Sequence, residues 1–81
     1  MGTEEEVEKE LTYGEKAVGL TFNPSGDPAV NATKRNFAQI IDNMNDLRGK
    51  AQSPESARLY SIAITEAQTA QMWAVKAITW K

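Results

Sequence analysis

Lys34 and Arg35 follow the dipeptide Asp27-Pro28 within two helical turns, with Asn31 before them and Asn36 just after. Asp caps free amides and Pro suits the first helical position, so a helix begins here. The free amides and dipole of a helix start favour an anion. Two cations in the same turns oppose that dipole, a conflict that a bound phosphate would relieve. Phe22 and Tyr13, from the preceding segment, offer flat faces on which a base could stack. The plainer alternative has Lys34 and Arg35 solvated and Phe22 stapling the helix start. On these residues alone, that alternative is the stronger.

Catalytic equipment is scarce. With no histidine and no cysteine, the chain lacks imidazole acid–base chemistry, thiolates, disulfides and the usual ligands of zinc, iron or copper. Asp42 and Asp46 share a helix face, but a solvated face explains them better than a catalytic pair. Ser61, Thr65 and Thr69 have no histidine to activate them, and the glycines form no phosphate-cradling loop. The expectation is a binding protein, not an enzyme, without cofactor or metal.

Charge narrows the partner. Residues 1–10 hold five glutamates against Lys9, a balance of −4, while residues 11–81 carry eight basic and six acidic side chains, or +2. A mildly basic body behind an acidic head has no dense basic stripe for a nucleic-acid polymer. A small anionic ligand with two or three phosphates is compatible with this charge, which does not by itself name the ligand. No apolar run approaches the roughly 20 residues of a membrane span, and no signal peptide is expected.

The elements that must position these residues are well punctuated. The 81 residues, 41% hydrophobic and 25% charged, suffice for one small domain spanning 1–81. A short helix is expected over 4–20, weakened by Gly14 and Gly19. Turn formers from Phe22 to Pro28 interrupt it. Long helices follow over 28–48 and 54–80, the second begun by Ser53-Pro54-Glu55, with Gly49 closing the first. Their short connection makes them an antiparallel hairpin, so the fold class is all-α.

Val30, Thr33, Phe37, Ile40, Met44 and Leu47 recur three and four apart, predicting a one-stripe seam with Ile41 beside it. The last helix is apolar on several faces. Ala63, Ala67, Ala70, Ala74 and Ala77 make a small-residue stripe, Leu59, Ile62 and Trp73 a second face, and Ile64, Val75 and Ile78 lie elsewhere. One partner helix cannot cover all of this, so a homo-oligomer is expected.

The segments together resemble a known family. The run TYGEKAVGLTFNPSGDPAVNATKRNFAQIIDNMNDLR, followed by RLYSIAITEAQTAQMWAVKAITW, is similar to the small helical-hairpin phage anti-CBASS proteins. These are cyclic-oligonucleotide sponges related to the hairpin part of an anti-Thoeris sponge. The likeness covers residues 11–80. It is carried by Asn31 to Lys34, by Arg58 opening the last helix, and by the WAVKAI close from Trp73.

The resemblance implies a compact homo-oligomer, commonly a hexamer, that sequesters cyclic di- and trinucleotide messengers without cleaving them. It works in the cytoplasm of the infected bacterial host. The family's phosphate-contacting lysine falls on Lys34, with Thr33 in place of an apolar neighbour. Its stacking aromatic, in a Gly-Tyr context, meets Gly19-Leu20-Thr21-Phe22 here, so Phe22 or Tyr13 substitutes. The arginine of a second, trinucleotide pocket falls on Arg58. Asn31 and Asn36, near Lys34, are candidates to read bases or ribose. A structural or adaptor phage oligomer that docks another protein through its excess apolar surface is the alternative. A small nucleic-acid accessory protein is a weaker third, disfavoured by the acidic head.

Overall fold

The computed structural model describes residues 10–81, and every regular element among them is helical: α1 (Tyr13–Ala17), α2 (Pro28–Gly49) and α3 (Pro54–Ile78). Most of the acidic head, and the expected helix at residues 4–9, lie outside the described residues. Within them the first helix is shorter than the predicted 4–20. Thr12 starts it with a reciprocal cap: its hydroxyl accepts from Glu15 N at 3.0 Å, and its own N–H donates to Glu15 Oε1 at 2.9 Å. Gly19, at φ +64°, ends it in the left-handed region that glycine enters at little cost.

The long helices begin where their caps dictate. Asp27 Oδ1 accepts from Ala29 N at 2.9 Å ahead of Pro28, and Ser53 Oγ accepts from Ser56 N at 3.1 Å ahead of Pro54. Gly49 is the last residue of α2 and has no left-handed backbone, so Lys50 is the capping residue instead. α3 ends with Thr79, whose hydroxyl donates to Val75 O at 2.9 Å.

α2 and α3 fold back on each other. Val30 and Lys34 share a cavity with Val75 and Thr79 at one end, and Arg48 hydrogen-bonds Ser61 towards the other. α1 packs on a second side of α2. There Gly14 N donates to Asp42 Oδ1 at 2.6 Å, so Asp42 is a structural acceptor and not a solvated carboxylate. A Cβ at residue 14 would collide with the Ala38 carbonyl oxygen, so this approach requires glycine.

The predicted seam is rotated about the α2 axis. The buried positions are Val30, Lys34, Ala38 and Ile41, whereas Ile40 is 48% exposed and Thr33, Phe37, Met44 and Leu47 are half-buried. The cause is α1 and the chain after it. Val18, with Ala17 and Leu20, covers a face that the seam left to solvent, so the core of Val18, Ala38, Ile41 and Ile64 lies between three segments. The helices form one layer, no more than 12 Å thick through the Cα atoms. A single layer leaves the far side of α3 uncovered. Ile64 and Gln71 are buried inward, while Leu59, Ile62, Met72, Trp73 and Trp80 are exposed, the two tryptophans by 64% and 71%.

Candidate functional site

The segment between α1 and α2 is organised by one amide that sequence reasoning did not single out. Asn23 Oδ1 accepts from Ser25 Oγ at 2.7 Å and from Gly26 N at 3.1 Å, and its Nδ2 donates to Asp27 O at 3.1 Å and Asn31 Oδ1 at 3.3 Å. Asn side chains commonly rebuild turns in this way. The signal was present in the turn-former cluster, but there it marked an interruption and not a wall. Gly26, at φ +70°, allows the chain to reverse into the Asp27 cap.

This loop closes one side of a cavity of about 270 Å³. Phe22, Asn23, Pro24 and Ser25 supply the loop wall, Val30 and Lys34 the α2 wall, and Val75 and Thr79 the end of α3. Lys34 is 5% exposed. Its Nζ donates to Gly19 O at 2.9 Å and to Phe22 O, and lies 5.6 Å from the centre of the Phe22 ring. Among the described residues the one ion pair joins Arg58 to Glu55, so no described carboxylate neutralises Lys34. A buried lysine held by carbonyls, with no described carboxylate beside it, thus forms part of the wall of a largely apolar cavity. A buried charge is costly without an opposite partner, and an anion entering the cavity supplies one.

The other expected residues are distributed unevenly. Phe22 lies with Lys34 and is 71% exposed. Asn31 is tied to Asn23 on the neighbouring side of the loop, in a shallower cleft of about 500 Å³ that Thr21 and Arg35 also line. Asn36 is exposed and lines neither hollow. Tyr13 is elsewhere. Its ring lies 5.7 Å from the Arg48 guanidinium, and Arg48 in turn donates to Ser61 Oγ at 2.9 Å and Asn45 Oδ1 at 2.6 Å.

Arg58 is also remote from Lys34. It sits one turn into α3, about 25 Å along the helix from the Val75–Thr79 end that faces Lys34, at 1.5 Å per residue. With Ser61, Ile62, Thr65 and Glu66 it lines a shallow cleft. Its guanidinium grips Glu55 with both arms, Nε to Oε1 at 3.0 Å and Nη2 to Oε2 at 2.8 Å. This hydrogen-bonded pairing holds the Glu55 carboxyl below its ordinary range and raises the guanidinium further.

The described residues include no group of three carboxylates, histidines or cysteines able to hold a metal ion, and no helix long and apolar enough to cross a membrane. A family model described as "Acb2/Tad1, hairpin domain" matches residues 15–79. The match includes α2, α3, the intervening loop, Lys34, Phe22 and Arg58, and begins just after Tyr13. No curated protein and no solved structure matches the chain.

Proposed function

The chain belongs to the Acb2/Tad1 hairpin family, the anti-CBASS and anti-Thoeris sponges, and from that premise we propose that it captures cyclic oligonucleotide messengers without cleaving them. Members of the family are sponge-type binding proteins. The observation that carries the reading is Lys34, a buried cation with no described counter-charge beside an apolar cavity rimmed by an aromatic ring. Phosphates of a cyclic dinucleotide supply the missing negative charge, and Phe22 supplies a stacking face for a base. Asn31 acts indirectly, by accepting a hydrogen bond from Asn23, which lines the cavity; Asn36, on an exposed face away from the cavity, requires a neighbouring subunit to contribute a polar contact. A trinucleotide phosphate meets Arg58, whose planar fork suits it once Glu55 yields.

Sequestration of this kind lowers the free messenger and leaves the defence effector of an infected host cell inactive. The host cytoplasm is where such a protein works. Among the described residues no carboxylate lines the cavity, and the chain has no histidine, so ligand released by heat should return intact. Thermal-shift titration with cyclic di-AMP and cyclic triadenylate tests the reading: at ligand a hundredfold above Kd, mass action stabilises the folded protein by about 2.7 kcal/mol. No shift with any cyclic di- or trinucleotide overturns it, and linearised product formed in proportion to protein overturns the non-enzymatic half.

The exposed face of α3, Leu59, Ile62, Trp73 and Trp80, supports self-assembly as part of the same proposal, with a hexamer as the expected form. Ala70 is exposed on that helix. Ala70→Glu introduces an unpaired charge that costs several kcal/mol if another copy covers it, and so dissociates the assembly. A stable 8.9 kDa monomer of the unmutated chain by light scattering removes the oligomer and favours an adaptor that docks another protein there.

A further inference from the structure

Among the described residues, Lys34 alone of the cations is buried, and its ammonium is committed before any ligand arrives. An ammonium has three N–H donors. Two of them hold the carbonyls of Gly19 and Phe22, the two ends of one tight turn. That turn has a hydrogen bond of its own, Phe22 N to Gly19 O at 2.9 Å, and Gly19 is in the left-handed region. Phe22 as a whole is 71% exposed, so packing does little to fix it. Its position at the cavity rim is set by its backbone, and the backbone is held to α2 by Lys34.

We infer that Lys34 is a positioning residue: it fastens the Gly19–Phe22 turn to α2 and thereby presents the Phe22 ring to a ligand in the cavity. The role in ligand capture rests on the sponge reading, while the fastening itself is a property of the free protein. Only one ammonium donor remains for a phosphate. Loss of Lys34 is therefore felt through Phe22 as well as through the phosphate.

A double-mutant cycle separates this from a simple phosphate contact. Lys34→Met keeps the aliphatic stem and removes the donors, and Phe22→Ala removes the ring. In the free Lys34→Met protein, backbone 15N order parameters of residues 20–23 should fall from about 0.85 towards 0.6 or below, with α2 and α3 unchanged. Calorimetry with cyclic di-AMP should show about a tenfold or larger loss for Lys34→Met alone and a clearly smaller further loss in the Phe22→Ala background, where only the phosphate contact is left to lose. Additive losses overturn the inference, because they mean that Lys34 meets the ligand independently of Phe22. Unchanged order parameters overturn it as well. If Lys34→Met does not fold, Lys34→Gln, whose shorter amide cannot span to both carbonyls, carries the same readings. If the unmutated protein ignores cyclic di-AMP, the ligand reading fails for that probe, and the order parameters alone decide the fastening.

Discussion

Lys34 with Phe22 and Arg48 with Tyr13 are cation–aromatic pairs of nearly equal separation, 5.6 and 5.7 Å, about 21 Å apart along α2 at 1.5 Å per residue. Their surroundings differ. Arg48 spends its fork on Ser61 and Asn45, joining α2 to α3 while Tyr13 brings α1 against it. Lys34 is held by loop carbonyls at the wall of a cavity, with an exposed ring at the rim. One pair braces three helices, and the other leaves a positive charge where a small anion can reach it. A basic residue near an aromatic one therefore identifies a binding site only when the space beside the pair is known.

The brace end should break most severely at Gly14. A Cβ there collides with the Ala38 carbonyl oxygen and comes within 2.9 Å of Asp42 Oδ1, the acceptor of the Gly14 N–H. Backbone cannot yield as a side chain does. Gly14→Ala should cost about 3 kcal/mol or more, lowering Tm by roughly 10 °C or more in a domain of this size. A thermal melt within 2 °C of the unmutated protein would show that α1 does not pack on α2 as described.

The next pair of substitutions opposes the two ends directly. Arg48→Ala leaves Ser61 and Asn45 without their partner and should lower stability by about 1–3 kcal/mol, measured by urea unfolding, with cyclic di-AMP affinity within twofold. Phe22→Ala should do the reverse. The residue is exposed, so stability changes little, but removing a stacking face should weaken binding by about 1–3 kcal/mol, or about five- to 150-fold. If Tyr13→Ala weakens binding as much as Phe22→Ala does, the contrast between the two ends collapses.

The rotated seam of α2 shows what was legible and what was not. Asp27-Pro28 and Ser53-Pro54 mark helix starts by local chemistry, and those starts lie where the pattern puts them. The inward face of α2 depends on something non-local. Val18 and Leu20 reach over it from an irregular segment, so Ala38 and Ile41 are covered and Ile40 is not. Lys34 was the hardest to interpret. Its charge marks it as a surface residue, and only the Gly19 and Phe22 carbonyls, supplied by a loop with no periodicity, make its burial tolerable. Phe22 and Tyr13 could not be separated from sequence for the same reason. Both precede α2, and only the path of the loop puts one beside Lys34 and the other beside Arg48. Arg58 was legible as a cation at a helix start, but its pairing with Glu55 three residues earlier was not anticipated.

The smallest effect concerns that pairing and extends the comparison to a third cation. Arg48 is satisfied by neutral partners and Lys34 by carbonyls, whereas the exposed Arg58 is occupied by a carboxylate, which the proposed phosphate would have to displace. Glu55→Gln should therefore strengthen cyclic triadenylate binding by a few-fold at low salt, with the gain fading as salt screens the exposed pair. Acid should act in the same direction. The Arg58 hydrogen bond holds the Glu55 carboxyl below its ordinary value of 4.5, so the pair persists through neutral pH and opens only as pH falls below the usual carboxylate range. The small stability that the pair adds is present above that range and lost on acidification. A phosphodiester stays ionised there, so Arg58 becomes free while its ligand keeps its charge. Calorimetry of Glu55→Gln and the unmutated protein at pH 7 and about pH 3, below the usual carboxylate range, should show the mutant's advantage shrinking as the pH drops. An advantage that is constant with pH would mean that Glu55 does not compete for Arg58, and a loss of binding in Glu55→Gln would make Glu55 a support for the arginine instead of its rival.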